Sequence, residues 1–271
     1  MKKIMAHTQA LLTIFILSAL FSAPVARAQN NLKSYFELPP GHPEAKGLKQ
    51  EQYFKVLGTF MVEYFQLVKN KTGKDFIVNF EWENKFFGAF AKLEEEHKRY
   101  SISLWGGMSR AEGMTEELAY FVLCHELGHI LAGDPKQTIP GSDWASAEGQ
   151  SDFFAAKKCM PNLMKKISMK KRFTSPRIKK ICAGNNECET ISSIGFEFVN
   201  FAQKWSYQNY NEVSLNEAPH EVVDEMLRNR YPSDQCRLES VIQGASCLLD
   251  KNCARPVCWY PKKESKIQNE L

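Results

Sequence analysis

The chain lacks an apolar segment long enough to cross a membrane. Its apolar run from Leu11 to Phe21 has about a dozen residues, whereas a transmembrane helix needs about 20. Internal repeats and low-complexity tracts are also absent, so a repeat architecture is not expected. The net charge is only +4 over 271 residues. A charge this small predicts no nucleic-acid partner.

Residues 1–28 have the pattern of a secretory signal peptide. Lys2 and Lys3 precede the apolar run, and residues 26–28 (Ala-Arg-Ala) offer a small-x-small cleavage site. Cleavage there would remove three positive charges and no acidic residue, which leaves a net charge of +1. An uncleaved anchor is the alternative, but the run is short and no cysteine near the cleavage point could carry a lipid. We therefore expect an exported protein, periplasmic or secreted, with no transmembrane segment.

Eight cysteines all follow the expected leader. An even number of cysteines in an exported chain favours disulfide bonds. A second zinc site is the alternative, but the spacings contain no Cys-x-x-Cys pair. About a hundred pairings are open and the sequence selects none of them, although Cys159 could tie its helix to the rest of the core. The cysteines are Cys124, Cys159, Cys182, Cys188, Cys236, Cys247, Cys253 and Cys258.

The most informative segment is residues 125–129, with the sequence His-Glu-Leu-Gly-His. Two histidines four positions apart lie one turn apart on the same face of a helix. His125 and His129 can therefore bind one metal ion, with Glu126 beside them as a base. Such a pattern arises by chance in about one chain in a hundred of this length, so its context decides.

The context favours a buried helix over residues 116–131. Apolar residues at positions 118, 121 and 122 continue into His125 and His129 as one stripe, which points the imidazoles toward the interior. Thr115 is a suitable N-cap, and Gly133 favours an end just after residue 131.

A catalytic zinc site needs a third protein ligand and leaves its fourth position for water. The long metzincin pattern would place glycine and histidine three and six residues after His129. This chain has Ala132 and Pro135 there, so that class is excluded. Glu148 follows in a segment that predicts a second helix, capped by Ser146.

Glu148 and Asp152 are four positions apart, so both carboxylates project from one face of that helix. One can bind zinc while the other accepts a hydrogen bond from the remote nitrogen of a ligating histidine. A solvated acidic face is the alternative, but the flanking residues are small or aromatic and offer no matching cation. The pattern therefore predicts one Zn²⁺ per chain.

These motifs resemble the gluzincin metallopeptidases, especially the minimal-core group that includes the CAAX prenyl proteases and the HtpX-like envelope proteases. The resemblance covers about residues 50–240. Residues 99–107 are similar to the strand and glycine turn that precede the zinc helix in that family. Residues 231–237 (Tyr-Pro-Ser-Asp-Gln-Cys-Arg) resemble its late His-Pro…Arg signature.

The resemblance implies a role for each matching position. His125, His129 and Glu148 would bind zinc, Glu126 would be the general base, and Asp152 would orient a histidine. The implied activity is zinc-dependent hydrolysis of peptide bonds in a protein or peptide substrate, by water that Glu126 activates.

The chain departs from the family at Tyr231, where histidine usually precedes the proline. A phenol can still donate a hydrogen bond to a developing oxyanion, and Arg237 could add positive charge. The alternative is that Tyr231 only packs and Arg237 is a surface cation, and the sequence does not decide between these. The resemblance also implies a strand that lines the cleft and could pair with an extended substrate. Its residues are Ser101, Ile102, Ser103 and Leu104.

The patterns predict an α+β fold that is mostly helical, with a small antiparallel sheet beside the HExxH helix. Phe54 and Phe65 are expected to face the core with the rest of their helix. The last two strands should form a hairpin. Further helices are predicted over 51–70, 190–205 and 235–248, and strands over 76–80, 87–93 and 100–105. Residues 29–49 form an extended lead-in, 50–262 a single metallopeptidase domain with a cysteine-rich part at 182–258, and 263–271 a polar tail.

Other functions stay open. The chain could be an inactive zinc-binding relative that acts as a binding or chaperone-like module. It could also be a basic, disulfide-bonded envelope-binding module in which the histidine motif is accidental. The basic residues within 157–180 suggest an amphipathic helix that makes weak contact with an anionic membrane or polymer. More often such a run is the solvated face of a packed helix.

Overall fold

The computed structural model describes residues 37–205, 212–250 and 253–262. The expected signal peptide (1–28), the first part of the lead-in and the polar tail (263–271) lie outside the described residues. The described residues from Leu38 onward belong to one compact unit. No helix in the described part of the chain is long and apolar enough to span a membrane.

The first element is helix α1, Gln50–Thr72, which ends where Gly73 adopts a left-handed φ of 73°. Phe54 and Phe65 were predicted to face the core, but they are 40% and 44% exposed. They lie about a quarter turn from the centre of the buried stripe, so the helix surface turns them toward solvent. The buried stripe consists of Tyr53, Val56, Leu57, Phe60, Tyr64 and Val68.

Three strands follow: β1 (Asp75–Asn79), β2 (Ala89–Glu94) and β3 (Arg99–Leu104). The hairpin of β2 and β3 is confirmed, with a 3₁₀ turn at Glu95–His97 between the strands. The sheet order is β1-β3-β2, and β1 pairs with β3 in parallel. The sheet is therefore mixed, not wholly antiparallel as predicted. Residues 80–88 carry the chain past β3 to the far edge, so β1 and β3 run in the same direction.

The short helix α2 (Gly106–Arg110) leads into helix α3 (Glu116–Leu131), which matches the predicted span. The Thr115 side chain accepts a hydrogen bond from the Leu118 backbone N–H, as expected of an N-cap. Helix α3 is buried along almost its whole length and packs against α1, β2 and β3. The HExxH motif therefore lies at the centre of an α+β fold, beside the sheet.

The remaining helices surround α3. They are α4 (Glu148–Phe154), a π-helical turn (Ala155–Cys159), α5 (Met160–Met164), α6 (Pro176–Cys182), α7 (Asn186–Trp205) and α8 (Asp234–Ser246). The predicted helices near 190–205 and 235–248 are confirmed as α7 and α8. Ser146 does not cap α4, because its hydroxyl donates to the Gly133 carbonyl and Ala147 is the N-cap.

The basic segment 157–180 is not one amphipathic helix. Residues 165–175 between α5 and α6 are not helical. Lys171 and Arg177 pair with Glu189 and Glu239, each at 2.6 Å. Part of the basic run therefore serves to join helices within the unit.

All eight cysteines form disulfides. Cys124–Cys159 joins α3 to the π-helical turn, which is the tie that the position of Cys159 suggested. The other three pairs are Cys182–Cys188, Cys236–Cys258 and Cys247–Cys253.

Candidate metal centre

His125, His129 and Glu148 meet at one point between α3 and the start of α4. His125 Nε2 lies 3.2 Å from Glu148 Oε2, and His129 Nε2 lies 3.7 Å from Glu148 Oε1. One ligand atom from each of the three lies within 4.8 Å of the others. All three side chains are buried. The predicted third ligand is therefore in reach of both imidazoles.

The close approach of α3 and α4 depends on Gly128. A Cβ atom at this position would lie 2.7 Å from the Ser151 Cα and 2.9 Å from its carbonyl oxygen. The loop between the helices is held as well, because the Ser146 N–H donates to the His129 carbonyl at 2.9 Å. The packing of the two helices and the loop hydrogen bond thus place Glu148 beside the two imidazoles without the help of a bound ligand.

The remote nitrogens of both histidines are engaged. His129 Nδ1 lies 2.8 Å from the Ser146 carbonyl oxygen, which can only accept, so Nδ1 carries the hydrogen. His125 Nδ1 lies 2.7 Å from Asp152 Oδ1. Burial would raise the pKa of Asp152, but the charges of Arg237 and His125 outweigh it and lower the pKa. Asp152 is therefore an acceptor, and both Nε2 lone pairs face Glu148.

This arrangement fits a bound cation. Glu148 Oε2 is buried and, in the described part of the chain, has no hydrogen-bond partner. Burial would raise the pKa of Glu148, but contact with His125 outweighs it and lowers the pKa. A buried carboxylate that faces two nitrogen lone pairs is unfavourable unless a positive charge lies between them. Two imidazole nitrogens and one carboxylate oxygen form a donor set that suits zinc.

A proton is the competitor for this place. Burial disfavours a charged His125, but the charge and hydrogen bond of Asp152, with a further contribution from Glu148, raise its pKa to about 10. In metal-free protein a protonated His125 can donate from Nε2 to the otherwise unsatisfied Glu148 oxygen. Metal binding must therefore displace a proton at neutral pH.

Glu126 lies next to the triad but is not part of it. The side chain is buried, and burial is the main cause of its raised pKa. A hydrogen bond from the Ala91 backbone on β2 acts in the opposite direction. The carboxylate therefore lies close to both the Ala91 backbone of β2 and the three residues of the triad.

Arg237 is not the surface cation that one interpretation of the sequence allowed. It is buried on α8 and donates to Asp152 from Nε at 2.8 Å and from Nη2 at 2.9 Å. Its Cζ lies 4.7 Å from the ring centroid of Phe198 and 5.2 Å from that of Tyr231. The guanidinium thus binds the residue that orients His125.

Tyr231 lies at the outer side of the site. The residue is 64% exposed, and its ring covers the Arg237 guanidinium. The negative charge of Glu148 is the main cause that raises the Tyr231 pKa to about 12. The phenol is therefore close enough to Glu148 for that charge to affect its pKa, and it stays protonated near neutral pH.

The strand predicted to bind substrate is the central strand of the sheet. Residues 101–103 of β3 pair with β1 on one side and with β2 on the other, and Leu104 pairs with Ala89. A peptide cannot add to this strand, so that prediction is wrong. The edge beside Glu126 belongs to β2, and within the described residues no strand pairs with its outer side.

Three contributors to the site were not predicted: the Ser146 carbonyl, the Ala91 backbone and the Phe198 ring. Backbone groups have no signature in a sequence, because every residue carries them. Phe198 belongs to an apolar run on α7 that predicts core, and nothing in that run distinguishes the residue that stacks on Arg237. These contacts follow from the packing of helices.

Comparisons with known proteins return no match. No protein-family model fits the chain, and no curated protein or solved structure is significantly similar to it. The resemblance to gluzincin peptidases therefore depends on the residues and motifs of this chain alone.

Proposed function

We propose that this protein is a zinc-dependent endopeptidase that uses Glu126 as its general base. The observation that carries the proposal is the convergence of His125, His129 and Glu148, with a buried carboxylate directly beside them. Zinc on such a set is a Lewis acid that makes water acidic enough to ionise near pH 7 and polarises a carbonyl group.

The chain's own residues supply the proton transfers. Burial raises the pKa of Glu126, so its carboxylate accepts a proton from water more readily, and the protonated carboxyl group then passes that proton to the departing amine. Tyr231 donates its phenolic hydrogen to the oxyanion that develops on the substrate carbonyl. Its pKa of about 12 keeps that hydrogen in place at neutral pH.

The outer edge of β2 offers a place for the substrate backbone. An extended peptide can add to an exposed strand through main-chain hydrogen bonds, without regard to most of its side chains. The hydrogen bond from Ala91 to Glu126 brings this edge next to the base. A peptide on β2 would therefore run past the metal ligands.

We also propose that the protein acts outside the cytoplasm. Four disulfides form and persist in oxidising compartments, which is compatible with the periplasm or with secretion. Proteins of the envelope or of the surrounding medium would be its substrates.

The test is metal analysis of the purified full chain followed by casein digestion with and without a chelator. We expect one zinc per chain and hydrolysis that stops on chelation and returns with zinc. Glu126→Gln should retain zinc but lose at least about 100-fold in turnover, because the proton acceptor is gone. His125→Ala and Glu148→Ala should lose the metal. Glu116→Gln, on the same helix but away from the site, is the matched control.

Each other outcome contradicts a stated part of the proposal. Full hydrolysis by a zinc-loaded Glu126→Gln protein would show that another group is the base. Stoichiometric zinc without cleavage would leave an inactive zinc-binding module. Absence of metal after mild purification would make the histidine motif accidental.

A further inference from the structure

Arg237, Asp152 and His125 form a continuous hydrogen-bonded series that ends at the metal site. Arg237 Nε donates to Asp152 Oδ2 at 2.8 Å, and Nη2 donates to Oδ1 at 2.9 Å. The same Oδ1 accepts from His125 Nδ1 at 2.7 Å. Three donors therefore hold one carboxylate that has no exposed surface.

The two-pronged contact prevents rotation of Asp152. A carboxylate held by His125 alone could turn about its terminal bond, and Asp152 has no exposed surface at which solvent could replace a lost partner. A guanidinium fork bonds both oxygens at once and fixes the plane of the carboxylate. Since His125 Nδ1 is hydrogen-bonded to Oδ1, the plane of the carboxylate also sets the direction of the His125 Nε2 lone pair.

Arg237 is itself held in place. Its guanidinium lies between the Phe198 ring on α7 and the Tyr231 ring, at 4.7 and 5.2 Å. Phe198 also contacts the His125 ring, at 6.0 Å between centroids. The neighbouring Cys236 is tied to Cys258 by a disulfide. Helix α8 thus presents a rigidly held guanidinium to Asp152. Through Asp152 this guanidinium acts on His125 more directly than on a substrate.

We propose that Arg237 is a positioning residue for the metal centre, acting on His125 through Asp152. The proposal depends on the metal site described above but not on peptidase activity. It assigns to Arg237 a contribution to metal affinity, where the sequence suggested a contribution to oxyanion binding.

The experiment measures the zinc affinity of the full chain by competition with a chelating dye, without substrate. Arg237→Gln should weaken zinc binding by about 10- to 100-fold, the range found when partners of metal-bound histidines are removed. Arg237→Lys should lie between, because an ammonium restores the charge but not the fork. The visible spectrum of the Co²⁺-loaded protein should change in Arg237→Gln, since the His125 ligand has turned.

A matched control is available at a second ion pair that involves helix α8. Arg177 on α6 pairs with Glu239 of α8 at 2.6 Å, and both side chains are largely buried. Arg177→Gln breaks a comparable ion pair that includes neither a residue of the triad nor Asp152. It should leave zinc affinity and the Co²⁺ spectrum unchanged even if the protein becomes less stable.

A double-mutant comparison separates positioning from other roles. Asp152→Asn should weaken zinc binding, and Arg237→Gln should add less than about 3-fold in that background, because residues that act through one another are not additive. This double variant also leaves no unpaired buried charge, so it is the safer one to fold. The proposal would be overturned if Arg237→Gln weakened zinc binding by the same factor in the wild-type and Asp152→Asn proteins. It would also be overturned if both Arg237 variants bound zinc as tightly as the wild type. Zinc binding without peptide cleavage would leave it standing and overturn only the peptidase.

Discussion

At the scale of single residues, His125 is the residue at which a proton and the proposed metal ion would compete. In the metal-free protein its pKa is raised to about 10, because Asp152 and Glu148 outweigh the effect of burial. A raised pKa in the folded state stabilises the fold as long as the histidine is protonated. This stabilisation is complete below the unfolded-state value of about 6.5 and is lost as the pH rises toward 10.

The thermal unfolding temperature of the chelated protein should therefore decrease as the pH is raised from 6.5 to 10. Zinc-loaded protein should lack this part of the pH dependence, because the metal replaces the proton. The measurement is thermal unfolding across this range with and without chelator. His125→Asn should flatten the curve of the chelated protein, whereas exposed His220→Asn should not. An equally steep curve in His125→Asn would assign the effect to other groups.

Tyr231 gives a second prediction at this scale. Tyr231→Phe removes the phenolic hydrogen but keeps the ring on Arg237. Turnover should fall about 100-fold, the effect of losing one oxyanion donor, while KM and zinc content stay close to wild type. Steady-state kinetics on a fluorogenic peptide measure both constants. A change confined to KM would place Tyr231 in substrate binding instead.

At the scale of elements, replacing either of two helical glycines by alanine is expected to have opposite effects on stability. Gly128 lies where α3 meets α4, and a Cβ atom there would overlap the Ser151 backbone. A Cβ atom at Gly58 on α1 would meet nothing within 4 Å. Both positions have the same intrinsic helix propensity, so the packing partner alone makes the difference.

Gly128→Ala should therefore lower the free energy of unfolding by about 1–3 kcal/mol, because backbone must shift to admit the methyl group. It should also weaken zinc binding, since Glu148 moves with α4. Gly58→Ala should raise the free energy of unfolding by about 0.5–1 kcal/mol through helix propensity. Urea unfolding of chelated protein and a zinc titration test both. If Gly128→Ala were as stable as wild type, the close contact of α3 and α4 would not exist.

The boundaries predicted from the sequence were correct where neighbouring residues along the chain determine them. Thr115 capping and the apolar stripe placed α3 correctly, because both act within a few residues along the chain. The cap proposed for α4 was wrong, since Ser146 bonds to Gly133, a partner that only the folded loop brings near. The single helix suggested for 157–180 was also wrong, because α5 ends at Met164 and residues 165–175 are not helical. Lys171 and Arg177 instead pair with Glu189 and Glu239, which lie further along the chain.

At the scale of the whole molecule, the disulfides join segments that the helices alone would leave to weaker contacts. Cys124–Cys159 closes a separation of 35 residues between α3 and the π-helical turn. Cys182–Cys188 closes a separation of 6 between α6 and α7. A longer closed loop removes more conformational freedom from the unfolded chain.

Removal of the first bridge should cost more than removal of the second. Loop-closure entropy predicts about 4 kcal/mol for Cys124→Ala with Cys159→Ala, and about 2 kcal/mol for Cys182→Ala with Cys188→Ala. Urea unfolding of the two double variants under identical conditions provides the comparison. Equal losses would mean that loop length is not what determines the stabilisation by these bridges.

The sequence by itself determined the histidine helix, the general place of Glu148 and Asp152, and the α+β class. These depend on spacing along one element, and an α-helix converts spacing into a shared face without help from the rest of the chain. Only the tertiary structure decided the central place of β3, the four cysteine pairs, and the contact of Arg237 with Asp152. Each of these joins residues far apart in the chain, and such pairs are selected by the packing of whole elements.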